Sequence, residues 1–229
     1  MRALLITFLL LSSMLFAESV KTPKVEQLSD TCYKLGEILI DSATRCIQLP
    51  AFVEQNEVLV EYLLVSTHGK VHESVFLTRV NPLELNIALK LIGLKESKEL
   101  LQILDKNYQP TGKYYQATAP QKQHSRLTIT ASWESQGKTV TYPVHRLINH
   151  ASRKQTMAEA SWIYSGSILE DENFLASSRG DMIAIYTDPI ALINYAGDGR
   201  NDDMVWTPNK AKLPPLGSPV TLTLTKVKR

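Results

Sequence analysis

Cysteine is scarce in this chain: 229 residues contain two, Cys32 and Cys46. Two thiols cannot supply the four ligands of an ordinary iron–sulfur cluster. An excess of one charge is missing too, because 25 Lys and Arg stand against 23 Asp and Glu, a formal net charge of +2. The basic residues are scattered apart from "KVKR" at 226–229, which argues against a nucleic-acid partner. The leading apolar run, residues 3–11, is well short of the roughly 20 residues a membrane span needs. Long Ser/Gly linkers, repeats and low-complexity tracts are absent. So are a phosphate loop, a dinucleotide fingerprint and a G-x-S-x-G nucleophile elbow.

What is present reads as globular. With 44% hydrophobic and 21% charged residues, the chain can bury a core of one large or two small domains. Its first residues, "MRALLITFLLLSSMLFAESV", run from one Arg through an apolar stretch to small residues around Ala17 and Ser19. That is the layout of a secretory signal peptide. Cleavage near Ala17 is expected, with residues 1–17 removed and residues 18–31 left as a polar lead-in. Removing Arg2 takes the formal charge from +2 to +1. No cysteine stands at the cleavage region, which argues against a lipid anchor; the alternative is a retained, uncleaved anchor. The expected destination is the periplasm or the medium, with no membrane span after cleavage.

Residues 33–40 and 45–53 read as strand, turn and strand, with Cys46 opposite about Ile40. Cys32 would then lie roughly 26 Å away along an extended strand, far beyond the reach of a disulfide. A Cys32–Cys46 bridge is therefore not expected. Residues 58–65 and 71–78 form a second hairpin pattern across "STHGK". The stretch "NPLELNIALKLIGL" predicts a helix at about 82–93, with Asn81 as N-cap, Pro82 at the first position and Gly93 as C-cap. Leu85, Ala88, Leu89 and Ile92 make its apolar stripe. The middle segment, 95–160, is less defined: "ESKELLQILDKN" is compatible with another helix and "YQPTGKYYQATAPQKQ" with a loop. Beyond it come a hairpin around 135–138, short strands in "ASWIYSGSIL" and "DMIAIY", a short helix at about 189–195 capped by Asp188, and a closing strand. The expected class is α+β, mainly antiparallel sheet built from hairpins, with those two helices.

Several of these stretches, "YKLGEILIDSATRCIQLPAFV", "VEYLLVSTHGKVHESVFLTRVNPLELNIALKLIGL", "WIYSGS", "GDMIAIYTDPIALIN" and "DDMVWTPN", together resemble the YdjY-type domain of exported bacterial proteins. The resemblance covers residues 33–94 and 162–225 and is weaker between them. It implies one YdjY-like α+β domain over 32–229, in a family without an assigned function. Some members carry ferredoxin-like labels, which two cysteines do not support. Cys46 stands where an aliphatic residue is expected in relatives, so it reads as a small buried hydrophobe.

The candidate chemistry centres on "GKVHES". If this is a strand, Glu73 shares a face with Val71, Val75 and Leu77, with Leu64 opposite in a two-residue hairpin. A carboxylate there must be paired, hydrogen-bonded, protonated or bound to metal; Lys70 or Arg79 is the obvious structural partner. Lys70, His72 and Glu73 are the catalytic candidates. His72 and Glu73 do not complete a metalloprotease motif, since Phe76 stands where its second His belongs. Ser74 lacks a base in reach and reads as a hydroxyl bonded to backbone. A second stretch, "NYAGDGRNDDMVWTPN", offers Asp198, Asp202 and Asp203 as hard oxygen ligands for a divalent cation, with Arg200 breaking the calcium-loop spacing and no bidentate Glu following. Asp202, Asp203, Trp206 and Asn209 are the binding candidates. Trp133, Trp162, Tyr164, Tyr114 and Tyr115 are core residues or stacking platforms.

The preferred reading is a non-enzymatic binding or structural module of the cell envelope that recognises an envelope component or small ligand, with no cofactor. The competing reading is a periplasmic hydrolase, metal-assisted or not, that joins Glu73 and His72 to the Asp198–Asp203 loop.

Overall fold

The computed structural model describes residues 23–107, 109–153 and 155–228; the expected signal peptide at 1–17 lies outside them. Four strands open the fold: β1 (Val25–Gln27), β2 (Cys32–Leu35), β3 (Ile38–Asp41) and the long β4 (Cys46–Val53). Next come β5 (Tyr62–Ser66), a single 3-10 turn at Val71–Glu73, β6 (Ser74–Thr78) and α1 (Pro82–Leu91). The middle segment holds β7 (Gln102–Leu104), β8 (Pro110–Tyr114), α2 (Ala119–His124), β9 (Arg126–Ser135), β10 (Lys138–Pro143) and β11 (Ile148–His150). The last third contributes β12 (Trp162–Tyr164), β13 (Leu169–Glu170), β14 (Asn173–Phe174) and α3 (Leu175–Arg179). It ends with β15 (Asp181–Ala184), β16 (Ile193–Tyr195), β17 (Trp206–Pro208) and β18 (Pro219–Lys226).

Eight strands close into a barrel in the order β4-β18-β9-β12-β16-β15-β5-β6, sealed where β6 returns to β4 through Phe52 opposite Leu77 and Val53 opposite Phe76. The inside is written by alternation. Ile47 and Leu49 of β4 face Leu224 and Leu222 of β18, which in turn face Ile129 and Ala131 of β9. All six are buried. The intervening positions put Pro50, Thr221 and Ser132 in one outer row, and Gln48, Thr223 and Thr130 in the next. Closure leaves these eight strands without a free edge, while β3, β2 and β1 extend from β4, and β10 from β9, beyond the barrel.

This architecture corrects the expected α+β class: the protein is mostly β, 40% strand against 14% helical, with α1 the one helix of seven or more residues among those described. The alternatives for helix failed for local reasons. In "ESKELLQILDKN" residues 102–104 pair as β7 with β8. The segment 189–195 is a bend leading into β16. Asp188 does accept from the Ile190 N–H (2.8 Å), but the Asn194 side chain then accepts from the Asp188 N–H and donates to the Asp188 carbonyl. Those backbone groups are taken before a helix can form. In α1, by contrast, Asn81 Oδ1 accepts from the Leu83 N–H (2.8 Å) and Pro82 begins the first turn. Asn81→Ala is expected to lower stability by about 1 kcal/mol in urea unfolding; no measurable change would deny the cap its role.

The second expected hairpin is also corrected. β5 and β6 run parallel, with Tyr62 opposite Ser74 and Leu64 opposite Phe76. All five residues of β5 are buried: Leu63 and Leu64 belong to the main core, while Tyr62 and Val65 pack with Ala184, Ala191, Val71 and Leu77 in a second cluster; a strand buried on both faces carries no alternation to announce its direction. The "STHGK" segment docks on Gly180 instead of turning back. Gly180 has φ +78°, and a Cβ there would lie 2.6 Å from the Gly69 nitrogen, so only glycine lets the two chains meet.

Gly36, at φ +56°, breaks residues 33–40 into the β2–β3 hairpin. Cys32 pairs with Asp41 across it, and Asp41 pairs with Cys46 across β3–β4. The roughly 26 Å expected from an unbroken strand therefore does not hold: the cysteines share a row, about two strand spacings or 10 Å apart. Both are free, and half-buried.

Candidate functional site

The parallel β5–β6 crossover positions the "GKVHES" cluster. Val71–Glu73 form a 3-10 turn, not a strand, so Glu73 does not share the apolar face and its side chain is 46% exposed. Lys70 Nζ lies 2.9 Å from Glu61 Oε2 and 3.4 Å from Glu73 Oε2, and 5.3 Å from the centre of the Tyr62 ring. Burial by itself would lower the Lys70 pKa, but the hydrogen bond and charge of Glu61, then of Glu73, outweigh it and raise the ammonium above its ordinary value. Ser74 is fully buried and its Oγ donates to the Lys70 carbonyl at 2.7 Å. Arg79 lies over the Phe52 ring at 5.7 Å.

The acidic loop is divided in its roles. Asp198 is exposed. Asp202 Oδ1 accepts from the Met204 N–H (3.0 Å), holding a turn. Asp203 faces a cleft of about 430 Å³ shared with Glu61, His72 and Glu73, with Val58 and Met204 among its apolar lining residues. Thus His72, Glu73 and Asp203 border one recess. Lys70 and Asp202 do not line it. Among the described residues, no three His, Cys, Asp or Glu side chains are placed to hold a metal ion. Trp206 and Asn209 are buried and hydrogen-bonded within the fold: Trp206 is 4% exposed and its Nε1–H donates to the Gly199 carbonyl, while Asn209 Nδ2 donates to the Arg146 carbonyl.

Sequence reasoning passed over Asp181. It heads β15, directly after Gly180, and is 2% exposed. Its Oδ1 is out of solvent with no hydrogen-bond partner among the described residues. Burial first, then the charge of Asp188, push its carboxyl up to about 6, against the opposing charges of Lys70, Arg179 and His68. Beside it the Tyr62 hydroxyl donates to Asp188 Oδ2 at 2.9 Å, and burial followed by the Asp188 charge raises that phenol well above its usual range. The available signal was an acidic residue opening the otherwise apolar run "DMIAI".

The aromatics separate into two groups. Trp162 and Tyr164 are core residues; the Tyr164 hydroxyl donates to Asn86 Oδ1 and so pins α1 to the barrel. Trp133, also buried in the core, stacks with the half-buried Tyr142 at 5.8 Å across the β9–β10 hairpin, with Lys212 Nζ 5.7 Å from the Tyr142 ring. They border a trough of about 740 Å³ between that hairpin and the loop at 211–219. Pro50, Ser132 and Thr221, the outer row of the barrel, line it together with Glu134. Tyr114 and Tyr115 lie at the end of β8 and just past it.

These features define a β-barrel domain with a hydroxyl- and aromatic-lined trough on its outer surface and, elsewhere, a buried Asp181 carboxylate among polar neighbours. The chain belongs to the YdjY domain family, whose model matches residues 38–225. Searches of curated proteins and of solved structures found no match.

Proposed function

We propose that this domain is a non-catalytic binding module exported to the cell envelope, and that the trough beside Trp133 and Tyr142 takes an extended glycan strand. The observation that supports this is the composition of the trough. Ser132, Thr139 and Thr221 offer hydroxyls, Glu134 and Lys212 offer one charge of each sign, and the half-buried Tyr142 ring, backed by the buried Trp133, offers a π-surface. A glycan strand, rich in hydroxyl groups, matches that inventory. Export rests on the N-terminal layout of one Arg, an apolar run and small residues. The test is co-sedimentation with purified peptidoglycan sacculi. Wild type is expected in the pellet, and Tyr142→Ala is expected to bind about five- to tenfold more weakly, the scale of one lost aromatic contact. Wild type that stays in the supernatant at every sacculus concentration would end this reading.

A hydrolase remains the second reading, favoured by one observation: His72, Glu73 and Asp203 border a common cleft. The same sacculi discriminate. Release of soluble fragments by wild type but not by Glu73→Gln would replace binding with catalysis.

A further inference from the structure

The β7–β8 hairpin is a two-stranded sheet paired with no barrel strand. It stands beside the loop that follows β15, and the two enclose a recess of about 380 Å³, within the range of roughly 300–1,000 Å³ typical of small-molecule sites. Its lining is mostly carbon: Leu100, Leu101, Leu104, Tyr115, Ile168 and Tyr186 contribute. Leu104 and Tyr115 are 48% and 44% exposed, so apolar surface lies open to water. Two of the polar groups are already engaged with each other, Thr187 Oγ1 donating to Asn201 Oδ1 at 3.2 Å, and Asn201 Nδ2 donates to the Tyr114 hydroxyl at 3.4 Å. Among the described residues one charged side chain borders the recess, Lys98. It is exposed and makes no ion pair among the described residues.

We propose that this recess binds a free fatty acid, its chain along the leucines and its carboxylate at Lys98. The charge pattern selects the head group: a lone cation with no carboxylate in the lining favours an anion and disfavours an ammonium. The shape selects a single chain, because a concave recess encloses one molecule whereas a bilayer is met by a projecting apolar face. Among the described residues, the hairpin wall is held to the Asn201 loop by one long hydrogen bond, from Asn201 Nδ2 to the Tyr114 hydroxyl, a contact that an entering chain can displace.

The experiment is calorimetric titration of the purified protein with laurate below its micelle concentration. Saturable binding at one site is expected, with dodecyltrimethylammonium at least tenfold weaker. Lys98→Glu is expected to weaken laurate about tenfold and to reverse the head-group preference. Leu104→Asp, at a half-exposed position where the fold tolerates change, is expected to lose a similar factor at unchanged melting temperature. Non-saturable binding, or laurate affinity untouched by both variants, would overturn the proposal. So would a peptide ending in two leucines that binds more tightly than laurate at the same residues, or anionic vesicles that bind the protein without competition from laurate. None of these residues borders the trough, so the outcome is independent of glycan binding.

Discussion

Phe76→Ala lowers stability by about 3–5 kcal/mol in urea unfolding, while Glu73→Gln, three residues earlier, changes it by less than about 1 kcal/mol. The contrast follows from where the 3-10 turn ends. Phe76 is fully buried in β6, opposite Leu64 on one side and Val53 on the other, so its removal opens a cavity at the seam where the barrel closes. Glu73 is half exposed and shares Lys70 with Glu61; its loss leaves Lys70 paired to Glu61 at 2.9 Å. A Glu73→Gln loss comparable with that of Phe76→Ala would return the carboxylate to the core face on which strand alternation had placed it.

Asp181→Asn is expected to stabilise the protein near neutral pH by about 3 kcal/mol, and the gain should disappear on acidification. Unfolded, the carboxyl titrates near its ordinary 3.8; folded, burial and the Asp188 charge hold it up to about 6. Its folded-state pKa is raised, so the stability it contributes is fully present below pH 3.8 and is lost as pH rises through about 6. The shift of roughly two units corresponds to about 3 kcal/mol at 1.36 kcal/mol per unit. Asparagine keeps the shape and never ionises. Urea curves of both proteins at several values between pH 4 and pH 8 report this group and its charged neighbours, because groups that do not interact with Asp181 cancel in the difference. A difference that stays flat with pH would mean that Lys70, Arg179 and His68 fully compensate the charge. Such a carboxylate, kept against the stability of the fold, is a place where function commonly resides.

Legibility followed the range of the interaction. The cap at Asn81 could be read because its partner is two residues away. The long strands could be read because alternation is local: "RCIQLPAFV", "RLTITASW" and "PVTLTLTKV" each show which side chains face inward. Gly36 hid the β2–β3 hairpin, since nothing nearby distinguished a turn from a strand glycine. "DPIALINY" offered a cap followed by apolar residues, and the clamp from Asn194 that prevents a helix is visible only once the side chain is seen folded back on Asp188. Glu73 was misplaced because "STHGK" reads as a two-residue hairpin turn, whereas Ser66 and Gly69 in it dock on Gly180.

The sequence alone determined the inner and outer faces of β4, β9 and β18, the start of α1 and, through its motifs, membership of the YdjY family. Steric preference and side-chain periodicity act over a few residues and need no partner. Only the tertiary structure decided that β6 runs parallel to β5 and closes on β4, that Asp181 is buried beside Asp188, and that residues as distant as 50, 133 and 212 form one trough. Those outcomes depend on which surfaces meet once apolar area leaves water, and on the closure of long loops that no local pattern encodes.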